Sequence, residues 1–190
     1  LNLSCAMVLT PVLCTILAVA VAACPGGAFG RDFTFDNLTD APGGPGQGNA
    51  PDINAHGDIA FYCGASVYFY DRSQGTCLNV TALPGAPSAA RFAKLNNLGN
   101  IVMLDASNRD LWFFEAASQT FTNISALPGY PGNSQAHGLQ IIYGLNDANQ
   151  VSFHSGDLNW GRVYVYTHAS GAFAEVTNQP GGSSHGRENA

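Results

Sequence analysis

Charged side chains are scarce in this sequence: only 11% of its 190 residues are Asp, Glu, Lys or Arg. Seven basic residues stand against thirteen acidic ones, for a formal net charge of -6, so the chain lacks the basic footprint of a nucleic-acid-binding protein. Metal-binding spacings such as HxxxH or CxxC and an Asp-rich calcium loop closed by Glu are also missing. No GxSxG nucleophile elbow falls on a predicted strand-to-helix step. The sequence therefore predicts no metal site, no cofactor, no catalytic residue and no nucleic-acid partner.

Residues 1–24 differ in composition from the rest, with no charged residue between Leu3 and Ala23. Such a segment is typical of an export signal or an anchor, and about twenty apolar residues are also enough to span a bilayer uncleaved. The run Val21-Ala22-Ala23-Cys24 resembles a bacterial lipobox, which makes Cys24 a candidate lipidation site. Cleavage after Ala23, lipidation of Cys24 and an uncleaved anchor all stay open. We expect a secreted, periplasmic or surface-anchored protein that contacts the membrane through this segment alone, followed by a tether over residues 25–32.

An internal repeat organises the remainder of the chain. Pro-Gly pairs at residues 42, 84, 128 and 180 lie 42, 44 and 52 residues apart, a period typical of solenoids and propellers. Between them recur an Asn-x-x-Gly turn, at Asn54–Gly57, Asn96–Gly99 and, with Asn replacing Gly, Asn146–Asn149, and a β-branched and aromatic strand. Asn and Gly accept the left-handed backbone of a tight turn most easily.

The residue pattern of each repeat thus predicts four short strands, which we label a to d, and no helix. We expect an all-β, propeller-like array of about three four-stranded antiparallel repeats after the N-terminal hydrophobic segment. The repeat domain covers residues 33–182, with units at about 52–83, 94–127 and 144–178, an extra lone strand at 33–40 and a flexible tail at 183–190. Because strand c is apolar on both faces, as in Trp112 and Phe113, the sheets should be covered on both sides. Six extra residues, 133–138, should map to one rim of the array, where inserts in repeat proteins often contribute to binding.

Two smaller features have structural interpretations. Cys63 and Cys77 fall at opposite ends of one predicted unit, too far apart for a disulfide, so both should be free thiols. The glycosylation-like sequons at Asn37, Asn79 and Asn123 occupy the same place in each repeat, inside strand d, which favours a structural role over modification.

The repeat units resemble the extracellular HAF-type repeats and related tandem NxxG repeats of bacterial surface proteins. The matching segments are 145–151, 163–166, 127–129 and 179–184. The resemblance implies a secreted propeller-like domain and names no activity. Taking these features together, we expect a binding or protein-interaction module whose ligand is a surface carbohydrate or protein. The alternatives are a secreted propeller-type hydrolase or lyase and a structural surface protein that self-associates through open strand edges. Because the sequence begins with Leu1 and the strand count leaves the ring open, we also expect a fragment of a longer repeat protein.

Overall fold

The computed structural model describes residues 36–132, 142–155 and 162–177. The described strands and turns belong to one compact unit, which begins at Asn37. The predicted leader with Cys24, the tether 25–32, the six extra residues 133–138 and the tail 183–190 lie outside the described residues. In the described part of the chain, no helix is long and apolar enough to cross a membrane.

In the described residues, twelve antiparallel strands form three separate four-stranded sheets. In blade 1 the strands are β1 Asn49–Ile53, β2 Ile59–Cys63, β3 Ser66–Asp71 and β4 Thr76–Asn79; in blade 2 they are β5 Ala90–Leu95, β6 Ile101–Asp105, β7 Leu111–Glu115 and β8 Thr120–Asn123; in blade 3 they are β9 Ile142–Leu145, β10 Gln150–Ser155, β11 Arg162–Thr167 and β12 Ala172–Glu175. Within each blade, neighbours in sequence are neighbours in the sheet. The predicted all-β, propeller-like fold of three four-stranded repeats is confirmed.

Two apolar layers lie between the blades. Blades 1 and 2 enclose one layer that includes Val67, Ile101 and Met103, and blades 2 and 3 enclose another that includes Phe113 and Phe153. Every residue of β6 is buried. The middle blade is therefore covered on both faces, as its apolar strand pattern predicts.

The prediction that the repeat domain lacks helix is wrong in one respect. Short 3-10 turns follow the sequon positions, at Leu38–Asp40, Val80–Ala82 and Ile124–Ala126. The proposed lone strand at 33–40 is accordingly wrong for residues 36–40, of which 36 and 37 have no regular structure and 38–40 form a 3-10 turn, while residues 33–35 lie outside the described residues.

The sequon explains why each 3-10 turn forms. The side-chain oxygens of Asn79 and Asn123 accept hydrogen bonds from the backbone N–H groups of Ala82 and Ala126, both at 3.2 Å, which caps the turn. The sequon hydroxyl of Ser125 accepts the backbone N–H of Leu111 at 2.8 Å, joining the turn to the third strand of its blade. The structural role of the sequon is confirmed at Asn79 and Asn123, which end β4 and β8. Asn37 lies in no strand, so its predicted place inside strand d is wrong.

The Pro-Gly turns join each repeat to the next blade. Cys77 donates its backbone N–H to Pro42 O at 2.8 Å, and a Cβ added at Gly43 would collide with Cys77 O. At the equivalent positions, Cβ atoms at Gly85 and Gly129 would lie 3.9 Å from the rings of Phe121 and Phe173. Cys77 thus fills the aromatic slot of its repeat, and both Cys63 and Cys77 are free.

Candidate binding surface at the turn rim

One end of the three blades is formed by the Asn-led turns, and we term this end the turn rim: Asn54–Gly57, Asn96–Gly99 and Asn146–Asn149. The residues closing the turns have left-handed backbones, with φ of 84° at Gly57, 78° at Gly99 and 56° at Asn149. Each leading Asn accepts backbone N–H groups of its own turn, such as Asn100 N to Asn96 Oδ1 at 3.0 Å. Asparagine is required here because its side chain replaces a backbone partner within the turn.

A ladder of hydrogen bonds connects the turns of successive blades. Asn54 Nδ2 donates to Asn96 O at 3.2 Å, and Asn96 Nδ2 donates to Asn146 O at 3.0 Å. Asn149 adds a contact that glycine could not make, because its Oδ1 accepts from Asn96 Nδ2 at 2.9 Å and Asn100 Nδ2 at 2.8 Å. Asn96 and Asn100 are buried, so these bonds satisfy polar groups that water does not reach.

A second set of bonds runs alongside the ladder, one residue further along each turn. Ala55 N donates to Asn97 Oδ1 at 2.7 Å, and Asn97 donates its backbone N–H and its Nδ2 to the two carboxylate oxygens of Asp147, both at 2.8 Å. The side-chain bond from Asn97, its backbone bond and the nearby charge of His56 lower the pKa of Asp147. The three turns thus have fixed spacing, and Asp147 is ionised at neutral pH.

A half-buried ion pair supports the rim from within the array. Asp52 of β1 lies 3.2 Å from Lys94 Nζ of β5 and also accepts the backbone N–H of Leu95 at 2.7 Å. One carboxylate therefore joins the first strands of two blades by both a charged and a backbone contact.

An open cleft of about 510 Å³ lies on the blade 1 side of the turn rim. We term it the rim cleft, and it is lined by His56, Asp58, Asp71, Arg72 and Ser73. The a-to-b turn supplies the imidazole and the c-to-d turn supplies the guanidinium, because in an antiparallel four-stranded blade these two turns fall at the same end. Gly57 suits the floor because its backbone is left-handed, with φ of 84°, and because a Cβ there would lie 2.7 Å from Arg72 Cδ and displace that side chain.

The carboxylates of the rim cleft are held by donors from the two turns that form it. Asp58 accepts Asn54 Nδ2 at 3.0 Å and the backbone N–H of Arg72 at 3.1 Å. Asp71 accepts Ser73 Oγ at 2.7 Å, and this bond, with backbone bonds from Ser73 and Gln74, lowers its pKa despite some burial. Asp71 is therefore a hydrogen-bond acceptor at neutral pH and not a proton donor, which suits binding better than general acid catalysis.

Two other histidines that the structure describes lie away from this cleft. His154 is buried in β10, and His168 packs its ring 4.3 Å from that of Phe113. His137 and His185 lie outside the described residues. Among the residues that the structure describes, no three His, Cys, Asp or Glu side chains are grouped as a metal site would require.

Comparisons with known proteins assign no family to the chain. No family model matches the chain, and no curated protein matches it. Among solved structures, a structural genomics protein of unknown function from Bacteroides thetaiotaomicron VPI-5482 is 17% identical over 68% of this chain, with a TM-score of 0.38. The match spans 33% of that protein's length. A likeness of this degree assigns neither fold nor function.

Proposed function

We propose that this protein is an exported or surface-anchored binding module, built from β-repeats, that holds a surface carbohydrate or protein at the turn rim. The observation that carries the proposal is the rim cleft itself. Its volume of about 510 Å³ is open to solvent, and its lining places the donors Arg72 and His56 beside the acceptor Asp71.

This lining favours a ligand rich in hydroxyl or amide groups. A hydroxyl both donates and accepts hydrogen bonds, so it can pair with a carboxylate and a guanidinium at the same time. In a peptide, the backbone N–H can donate to the carboxylate while the neighbouring C=O accepts from the guanidinium. The turn ladder holds the cleft in place before the ligand arrives, which reduces the ordering cost of binding.

Export is supported by the sequence of the first 24 residues, with its uncharged stretch and its lipobox-like end at Cys24. The low charge content and the resemblance to extracellular NxxG repeats agree with an extracellular location. A surface module of this kind would present the turn rim to its ligand, with the N-terminal segment as its attachment.

The test is a binding screen of the full chain against an array of surface polysaccharides and a panel of extracellular proteins, followed by calorimetric titration of each hit. We expect Arg72→Ala to weaken binding about tenfold or more, because arginine is prominent among residues that dominate binding energy.

The matched control is Arg162→Ala. Arg162 is also exposed, but it pairs with Glu175 at 3.0 Å on blade 3, away from the rim cleft. Equal affinities for the wild type and both variants would refute the rim as the binding surface. The absence of any hit in the screen would refute the binding role.

A further inference from the structure

The first strands of blades 1 and 2 share an irregularity. Their pairing with the next strand shifts between Asn49 and Asp52 in β1 and between Arg91 and Lys94 in β5. Ala50 and Phe92 occupy the same place in these two bulges, with φ of 44° and 55°. A left-handed backbone is costly for any side chain and unusual for a bulky one. Such an outlier, with an aromatic ring where the sister repeat has alanine, points to a functional use of that ring.

Phe92 is 49% exposed although its neighbours in β5 include buried Ala90 and Ala93. Its ring contacts that of Tyr62, with centroids 5.6 Å apart and planes at 56°. The adjacent Arg91 is exposed and donates its Nε to Gly64 O at 3.2 Å. Tyr62, Gly64, Arg91 and Phe92 thus meet where blade 2 touches the end of β2, opposite the turn rim. We term this group the aromatic corner.

The chemistry of the aromatic corner combines an apolar surface with a fixed cation. The apolar C–H face of a sugar ring can pack on an exposed aromatic ring, which removes both from water. Because Nε of Arg91 already bonds to Gly64, the two Nη groups remain as a planar pair of donors, and such a pair matches the two oxygens of a carboxylate. The space beside Gly64 is open, since a Cβ there would meet no atom within 4 Å.

We propose that the aromatic corner binds a pyranose ring that carries a carboxylate, with Phe92 under the ring and Arg91 on the acid. This site is independent of the rim cleft and does not require the proposed function to hold. The competing explanation is that Phe92 and Arg91 only fasten blade 2 to blade 1. That explanation predicts an effect of their replacement on stability and none on binding.

The test uses calorimetric titration of the full chain with a trimer of galacturonic acid and, as the matched neutral ligand, the same trimer as its methyl ester. We expect the wild-type protein to prefer the acid. We expect Phe92→Ala to lower the affinity for both ligands by about tenfold or more. This variant should fold, because Ala50 adopts the same backbone conformation in blade 1. Arg91→Gln should abolish the preference for the acid while binding of the ester persists.

Arg162→Ala, whose arginine pairs with Glu175 on blade 3 and belongs to neither proposed site, is the control and should bind the trimer as the wild type does. The proposal is overturned if neither trimer binds at millimolar concentration, if Phe92→Ala binds as the wild type does, or if Arg91→Gln keeps the preference. A lower melting temperature of Phe92→Ala without a change in affinity would identify Phe92 as a packing residue.

Discussion

Replacement of Phe113 by alanine should remove a large part of the stability of the repeat domain. Phe113 is 0% exposed in β7 of the middle blade, and its ring packs against that of His168 on blade 3. Burying a phenylalanine side chain contributes about 1.5–3 kcal/mol. The cavity left by its removal adds to that cost, because β7 is paired on both sides, with Val102 and Thr122 opposite Phe113, and cannot move to fill it. We expect a loss of about 3–5 kcal/mol.

This loss is measurable against a domain stability that is typically about 5–15 kcal/mol. Urea unfolding followed by both circular dichroism and tryptophan fluorescence would give the free energy of unfolding, and agreement of the two probes tests the two-state assumption. The control is Phe92→Ala, since Phe92 is 49% exposed and should cost less than about 1 kcal/mol. A loss under about 1 kcal/mol for Phe113→Ala would mean that the face of β7 that carries Phe113 is exposed to solvent and that the middle blade is not covered on both sides.

Three further predictions concern the turns and the N-terminal segment. Asn149→Gly relieves a left-handed backbone yet should lower the free energy of unfolding by about 1–3 kcal/mol, because it removes the acceptor of buried Asn100 Nδ2 and leaves buried Asn96 Nδ2 bonded to Asn146 O alone. A variant more stable than the wild type in urea melts would contradict the ladder. Asn97→Ala should raise the pKa of Asp147 toward its usual value in an NMR titration. Because the lowered folded-state pKa stabilises the native state above the unfolded pKa and this gain is lost as the pH falls through the folded value, the variant should lose less stability on acidification than the wild type; an unmoved titration curve would rule out the bond. Cys24→Ala should release the protein from membranes in cell fractionation if Cys24 is lipidated, and unchanged fractionation would exclude that route.

The parts of the fold that the sequence predicts best depend on residues with strong local preferences. Asn-x-x-Gly and Pro-Gly specify turns through their own backbone energetics, so the repeat, its four strands and their pairing could be foreseen. The 3-10 turns could not be foreseen, because Asn79 acts as a cap only when the residues that follow it form a 3-10 turn. The run Thr76–Asn79 has the composition of a strand, and the sequence does not show where that strand ends.

The candidate sites were less accessible to sequence reasoning because they depend on contacts between separate repeats. His56 and Arg72 are 16 residues apart in sequence, and each resembles an ordinary turn residue in isolation. That both residues lie at the same end of blade 1 could have been inferred from the sequence, because the a-to-b and c-to-d turns of an antiparallel four-stranded blade fall at the same end. For Phe92 the sequence gives no comparable signal, since a left-handed phenylalanine in a strand follows from a bulge that only the pairing register reveals.

The ladder of the turn rim also determines how the repeats come apart. Blade 2 accepts from blade 1 at Asn96 O and donates to blade 3 from Asn96 Nδ2, so one residue takes part in both junctions. In many repeat proteins the units open separately, since each is coupled to its neighbours by an independent interface. Here, opening of the middle turn breaks both couplings at once. We therefore expect amide hydrogen exchange at all three turns to report one common opening free energy, with the three blades behaving as a single cooperative unit.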